Sequence, residues 1–433
     1  MGEMKSLFTN KNFTLLMIGQ VISFTGSIIQ RFALSLYVLG ITGSGTLFAT
    51  VLVMSLIPTI LLGPIAGVFA DRFSRRNIMI VLDILCAIIV GMMLLLSKNG
   101  MLDLPAIYLG VILLSVFTAF YEPAVQASIP SLVGEKQLLS ANSLNSLFMT
   151  LANMTGPILA GILYGTLGLD ALLLINGISF LFAAILEMFM VIPQTIREKS
   201  SNVIQEFKSD LKEGFKFVYK SPYLGKLIFA TLIANVFISP IFTVGIAYIT
   251  KMSLKMSDQM YGLSEGVIMA GSLMAPIALG LLTKKLTVKN AFVSMLLLSG
   301  IFLFATSGSI LPSFTGIFPD ATIPFWIFTT CGFGIMASIT ILAIVGMTML
   351  QNDTPNEMLG RVMALVTSMT MAAIPLGQLM YGLLFDRFAD SSYIPMLLSA
   401  IVSVILSLYI KVSLAGYKER DESAPQNPDS TSA

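Results

Sequence analysis

The chain contains no histidine. That absence removes imidazole metal ligands, histidine-based nucleophile triads and histidine proton shuttles together. Its two cysteines, Cys86 and Cys331, sit singly inside apolar runs with no CxxC pair, and both read as small core residues. Charge is scarce, 11% of the 433 residues against about 25% in soluble globular domains. Lys+Arg 25 against Asp+Glu 23 leaves +2, which offers no basic surface to nucleic acid. No GxxxxGK(S/T) loop is present, so no P-loop ATP site exists to power a reaction. No cofactor and no metal are expected.

Apolar residues are abundant instead, at 56%. Water cannot surround so much apolar surface, whereas lipid can, and a spanning helix needs about 20 apolar residues. Twelve runs qualify: roughly 13–39, 46–69, 78–97, 105–127, 144–167, 171–192, 227–250, 262–283, 291–311, 323–349, 362–384 and 393–414. The fold class is an all-α membrane protein. With the N-terminus in the cytoplasm, twenty of the 25 Lys and Arg residues fall on the inner side. Only Lys98, Lys251, Lys255 and Arg387 fall outside and Arg31 lies within a span, which predicts both termini inside a multi-pass plasma-membrane protein. The first run is too long for a signal-peptide core and lacks a cleavage site, so it stays.

The polar stretch 193–226 separates six spans from six. Within it Val203, Phe207, Leu211, Phe215 and Val218 recur at helical spacing, predicting an amphipathic helix on the inner membrane face with its lysines near anionic head groups. This divides the chain into a first bundle (1–192), the linker (193–226), a second bundle (227–417) and a polar tail (418–433) expected to be disordered. The halves repeat weakly. GVFADRFSRR (67–76) matches GLLTKKLTVK (280–289), the segment 129–142 matches 349–362, and GPILAGILYG (156–165) matches IPLGQLMYGLL (374–384), all near one offset of roughly half the chain. Two pseudo-symmetric six-helix bundles are expected.

These residues resemble the major facilitator superfamily of secondary transporters. In GVFADRFSRR, Gly67, Asp71, Arg72, Arg75 and Arg76 match the family's Gly-x-x-x-Asp-Arg-x-Gly-Arg-Arg loop, with Ser74 in place of the second glycine. FYEPAVQASIPSLV, LLSANSL and GPILAG are similar to the macrolide-efflux and siderophore-exporter branch. The resemblance implies that the charged loop locks the two halves at the cytoplasmic side and so holds an outward-facing state. Gly67 would permit close backbone approach, and Asp71 would face a helix N-terminus. A role for the arginines in topology alone also stays open. In GPILAG, Gly156, Pro157 and Gly161 resemble the antiporter signature, where both simple helix packing and a direction-setting role are open.

Ionisable side chains inside spans cost about 3 kcal/mol or more and so point to function. Arg31, preceded by Gln30, either snorkels to the outer head groups or serves the cavity. Glu265 lies at a comparable height, and an Arg31–Glu265 pair between the halves would make an outer gate. Glu122, just before Pro123, is a proton-carrier candidate along with Glu265; the alternative for Glu122 is a static partner for Arg72 or Arg75. By the resemblance, helices 1, 4, 7 and 10 line the central cavity. Asp83 is expected to partner the nearby arginines as part of the lock, with proton transport as the alternative, and Glu187 to mark a span boundary. Phe117, Phe120, Tyr121, Asn153, Asn235, Phe237 and Trp326 are candidates to shape a substrate site, and 29 Phe with 27 Met make an adaptable apolar pocket easy to build.

The leading expectation is a monomeric alternating-access exporter of small amphipathic compounds, macrolide-like or siderophore-like, driven by proton antiport. A lysophospholipid flippase or an uptake carrier uses the same scaffold. A membrane-embedded enzyme is disfavoured, because histidine, HExxH and clustered acidic pairs are all missing.

Overall fold

Asn10 starts the first long helix. Its side-chain oxygen accepts the N–H groups of Asn12 and Phe13 at 3.1 and 3.2 Å, donors that have no carbonyl to meet within the helix. Helix α1 then runs Lys11–Thr42 and stops at Gly43, whose φ of 67° is a left-handed turn that a side chain would strain. The computed structural model describes residues 7–193, 203–282 and 287–416, without the side chains of Pro64, Asp71, 203–208, 210, 281 and 282. The tail beyond 417, Lys284, Lys285 and the linker residues 194–202 therefore lie outside the described residues.

Next come α2 (Gly45–Met54) and α3 (Ile57–Arg72), α4 (Arg75–Lys98), α5 (Leu104–Leu132) and α6 (Glu135–Met188). The linker helix is α7 (Val203–Lys220), followed by α8 (Leu224–Phe237), α9 (Asp258–Leu282), α10 (Val288–Ser309), α11 (Thr322–Asn352), α12 (Asn356–Arg387) and α13 (Tyr393–Ser413). Among the described residues, 11 helices are long and apolar enough to cross a membrane. One of them is α6 at 54 residues, yet Gly168 (φ 77°, ψ 175°) leaves the helical region in a conformation that favours glycine. The break separates 135–167 from 169–188, and at about 1.5 Å per residue each arm reaches about 30 Å or more. The twelve runs of the sequence thus meet 11 helices, one of which is divided.

Two further spans are irregular, and each has a cause. The chain pauses between α2 and α3 at Ser55 and Leu56, where Ser115 Oγ donates to the freed Ser55 carbonyl at 2.6 Å. Beyond α8, Pro240 carries no N–H, and the chain continues through widened π turns at Ile241–Gly245 and Ile249–Ser253. Large apolar side chains cover the outside: Leu61, Leu376 and Val412 are 67%, 64% and 76% exposed. Surface of this kind is sustained by lipid and not by water.

The two halves pack in the same order. α4 lies on α5 and on the second arm of α6, as α10 lies on α11 and α13. α3 packs on α5 as α9 packs on α11. Between halves, α9 meets α6 and α12 meets α2, the pair of contacts expected of a pseudo-dyad. One end of the bundle carries the Gly67–Arg76 loop, and the chain start sits there too, with Asn10 Nδ2 donating to Leu132 O at 2.6 Å and Val191 N donating to Asn12 Oδ1 at 3.1 Å. Residue 416 belongs to the same end, where Lys226 Nζ donates to Ser413 O and Lys289 Nζ to Ala415 O. This is the loop end; the opposite one is the far end.

The linker helix α7 packs along α12 and touches α3. Leu211 and Val218 join the core of the second half, and Glu213 Oε2 meets Arg361 Nη1 at 2.9 Å. The reason lies at Gly214, whose missing side chain lets the helix settle on the Arg361 carbonyl, where a Cβ would come within 2.8 Å. Lys212 and Lys216 remain exposed. The side chains of Val203 and Phe207 are outside the described residues.

Candidate functional site

Along α1, Gln20, Ser23, Ser27 and Arg31 follow one another three or four residues apart, which places them on one helix face. Along α5, Ser115, Thr118, Glu122 and Gln126 do the same. The two polar faces meet across a cavity of about 490 Å³, within the range of about 300–1,000 Å³ typical of small-molecule sites. Amides ring it, from Gln20, Gln30, Gln126, Asn145, Asn153 and Asn176, and Phe24, Phe117, Tyr121 and Phe180 supply aromatic surface. All of its lining comes from the first half except Met371 of α12. Spans 7 and 10 do not line this cavity.

Arg31 and Glu122 both face this space, each within electrostatic reach of the other. Arg31 Cζ also lies 5.7 Å from the centre of the Phe32 ring. The expected Arg31–Glu265 pair does not form. Glu265 is buried in α9 beside Tyr261, away from the cavity, because equal height in two helices does not place two side chains on facing sides. Glu122 is likewise turned to the cavity and not to Arg72 or Arg75.

Asp83 departs from its expected place. No arginine bonds it among the described residues; it lies instead within electrostatic reach of Glu187, with Tyr121 beside both. Tyr121 donates its hydroxyl to Glu187 Oε1 at 2.8 Å. Glu187 is 1% exposed and Asp83 3%, so Glu187, in the last turn of α6 at the loop end, is a buried acid.

The charged loop ties together helix ends of the first half. Arg75 Nη1 donates to Ala127 O at 2.6 Å and to Ser131 Oγ at 3.0 Å, reaching the end of α5. Arg76 Nε donates to Glu187 O at 3.1 Å, and its Nη2 bonds Met188 O, reaching the end of α6. Arg72 is exposed, and the side chain of Asp71 lies outside the described residues. Gly67 does not serve close approach here: a Cβ on it would meet none of the described residues within 4 Å.

The far end is shut. A Cβ on Gly161 would stand 2.7 Å from the Gly262 backbone, so α6 and α9 touch main chain to main chain. Gln259 Nε2 adds a bond to Gly165 O at 2.6 Å. Across the pseudo-dyad, a Cβ on Gly382 would stand 2.7 Å from Gly45 O. Asp386 there accepts from Ser44 Oγ, from Gly45 N and from Thr46 N at 2.6, 2.6 and 3.0 Å. Within GPILAG the roles divide: Gly156 seats Ile28 of α1, Pro157 is buried, and Gly161 forms the seam between halves.

Of the residues singled out in the sequence, the cavity gathers Gln30, Arg31, Asp83, Phe117, Tyr121, Glu122 and Asn153. Asn235 stays outside, its Nδ2 spent on Thr231 O at 2.9 Å. Phe120 packs on Phe69, Phe237 joins the apolar core, and Trp326 is 41% exposed. Gln20, Asn145 and Asn176 escaped attention, although the polar stripe of α1 signals the first. Asn176 Nδ2 donates to Gln30 Oε1 and so fixes that amide. Asp386 escaped too, and its signal is plain: GLLFDRF (382–388) repeats the pattern of GVFADRF (67–73).

A sequence model of the Major Facilitator Superfamily matches residues 16–378. Macrolide efflux protein A of Streptococcus pyogenes is 25% identical over 373 residues, covering 85% of this chain and 88% of that protein. Enterobactin exporter EntS of Shigella flexneri is 25% identical over 327 residues, 73% of this chain and 71% of that protein. A crystal structure of a bacterial homologue of the iron transporter ferroportin, inward-facing, superposes with a TM-score of 0.65 at 20% identity, covering 91% of this chain and 98% of the other. That of a bacterial homologue of the human lysosomal transporter Spinster gives 0.69 at 13% identity, with 95% and 99% covered. At these identities the structural likeness establishes the fold.

Proposed function

The chain belongs to the Major Facilitator Superfamily, and from that premise we propose that it exports bulky amphipathic compounds by alternating access, with protons entering in exchange. One observation carries the reading: a single chamber combines amide, aromatic and oppositely charged groups while both inter-helix seams at the far end are closed. Amides and a charge pair orient a polar head, and Phe24, Phe117 and Phe180 accept an apolar body. The relatives named for macrolide efflux and enterobactin export support outward movement and a macrolide-like or siderophore-like cargo. The excess of Lys and Arg at the loop end supports placing that end, and both termini, in the cytoplasm of the plasma membrane.

In this scheme 1–192 and 227–417 rock as two bodies in one monomer. The loop end is open to cargo now, and Gly67 with its arginines closes it in the alternate state, when the Gly382–Gly45 seam parts. Glu122 takes up the proton, and Arg31 lies opposite it to sense the change of charge. Glu265, one turn from the Gly262 seam, is a second acid that the rocking would uncover.

The test uses a bacterial strain stripped of its own exporters. Expression should lower erythromycin accumulation, an uncoupler should abolish the difference, and Glu122→Gln should weaken the response to the proton gradient. Movement of lipid without movement of macrolide would overturn the export reading. Export that ignores the uncoupler would overturn proton antiport.

A further inference from the structure

Deep in the wall between α4, α5 and α6, two acids share a small volume. Asp83 and Glu187 are buried, Asp83 lies within electrostatic reach of Glu187, and one oxygen on each, Asp83 Oδ2 and Glu187 Oε2, has no hydrogen-bond partner among the described residues. Among the described residues the groups shown beside them are neutral: Tyr121 of α5, Cys86 of α4 and Ser23 of α1. Arg76 is the near cation, but its described bonds go to main-chain carbonyls of Glu187 and Met188 and not to a carboxylate. The Tyr121 hydroxyl donates to one Glu187 oxygen only. Two bare anions are costly together in such surroundings, and a proton on one halves the charge that burial opposes.

We propose that Asp83 and Glu187 form a proton-binding site distinct from Glu122, loaded from the cavity through Asp83 and shared with Glu187. Access is built in, because Asp83 and Tyr121 line the cavity while Glu187 does not. On loading, hydronium in the chamber gives a proton to a carboxylate oxygen and leaves as water, and the pair passes from two negative charges to one. Unloading is the reverse. Arg76 links the site to the charged loop by holding the main chain at Glu187, so movement of the loop end bears directly on the acid. The site depends on the antiporter reading only for what its proton drives.

Infrared spectroscopy of the purified full chain at pH 7 tests this without any cargo. Wild type minus Asp83→Asn/Glu187→Gln should contain one protonated-carboxyl band, and the band should shift promptly in deuterated water. It should persist in Glu122→Gln and move in Tyr121→Phe, which removes the hydroxyl on Glu187 yet keeps the ring. Tyr121→Phe and wild type keep the question answerable if the double variant fails to elute as a single species from size exclusion. A difference spectrum with no protonated carboxyl overturns the proposal. So does a band that does not exchange, since a sealed proton serves no transport. A chain that exports no erythromycin under a proton gradient would end the antiporter reading and leave this band in place; a coupled exporter without the band would do the reverse.

Discussion

The carboxylate of Asp386 accepts the N–H of Gly45 at 2.6 Å, a bond that runs from the last turn of α12 in the second half to the first turn of α2 in the first. With Ser44 and Thr46 it crowns a helix start, where unpaired N–H groups and the helix dipole favour an anion. Asp386 closes a Gly-x-x-x-Asp-Arg-Phe pattern that also occurs at Gly67–Phe73, on the opposite end of the molecule. One copy is engaged, and at the glycine of the other a Cβ would meet none of the described residues within 4 Å.

Alanine at the two glycines should therefore act with opposite sign. At Gly382 the new methyl group meets the Gly45 carbonyl and should lower stability by about 1–3 kcal/mol. At Gly67 it meets nothing and gains helix propensity, about 1 kcal/mol. Thermal unfolding of the purified variants checks this: Gly382→Ala melting below wild type and Gly67→Ala at or above it. Equal losses would show that Gly67 has close neighbours.

Removing the latch carboxylate should loosen the far end selectively. In Asp386→Ala, three hydrogen bonds to the start of α2 vanish, and charged hydrogen bonds contribute about 1.5–3 kcal/mol each when intact. Amide hydrogen exchange at residues 44–48 should accelerate at least about tenfold, the factor that about 1.4 kcal/mol produces. Exchange at 75–79 on the loop end should hold steady.

Charge reversal distinguishes the partner of Arg31. Arg31→Glu and Glu122→Arg singly should each abolish erythromycin export, and the double swap should recover a measurable part of it. Arg31→Glu with Glu265→Arg should recover nothing, since Glu265 lies off the cavity. Rescue in the second pair alone would reinstate the gate between the halves.

The linker helix should depend on shape more than on its ion pair. Glu213 and Arg361 are 48% and 40% exposed, so Glu213→Ala should cost no more than about 1 kcal/mol. Gly214→Val drives a side chain into the Arg361 carbonyl and should lift α7 away from α12. Limited proteolysis within 203–220 should speed up in the valine variant and stay unchanged in the alanine one.

How much of this was legible in the chain follows from what each signal measures. Span positions came through because about 20 apolar residues are a length, and length survives folding. Arg31 and Glu122 stood out because charge in lipid is costly. Their pairing was not legible: counting residues along a helix gives height but not direction around the bundle, so Glu265 competed at equal height. Gln20, Asn145 and Asn176 are neutral, and nothing about them taken singly marks a site. Asp386 went unseen because half-chain offsets compare like with like, whereas the motif that starts at Gly67 recurs from Gly382, at the other end of the molecule.

Nearly every group that touches the chamber belongs to the first body, with Met371 the visitor from the second. On the export reading proposed above, such a division assigns choosing and moving to different parts of the gene. Substitutions along α1 and α5 would then retune which compounds are taken, and changes in the second body would alter turnover while the menu stays fixed.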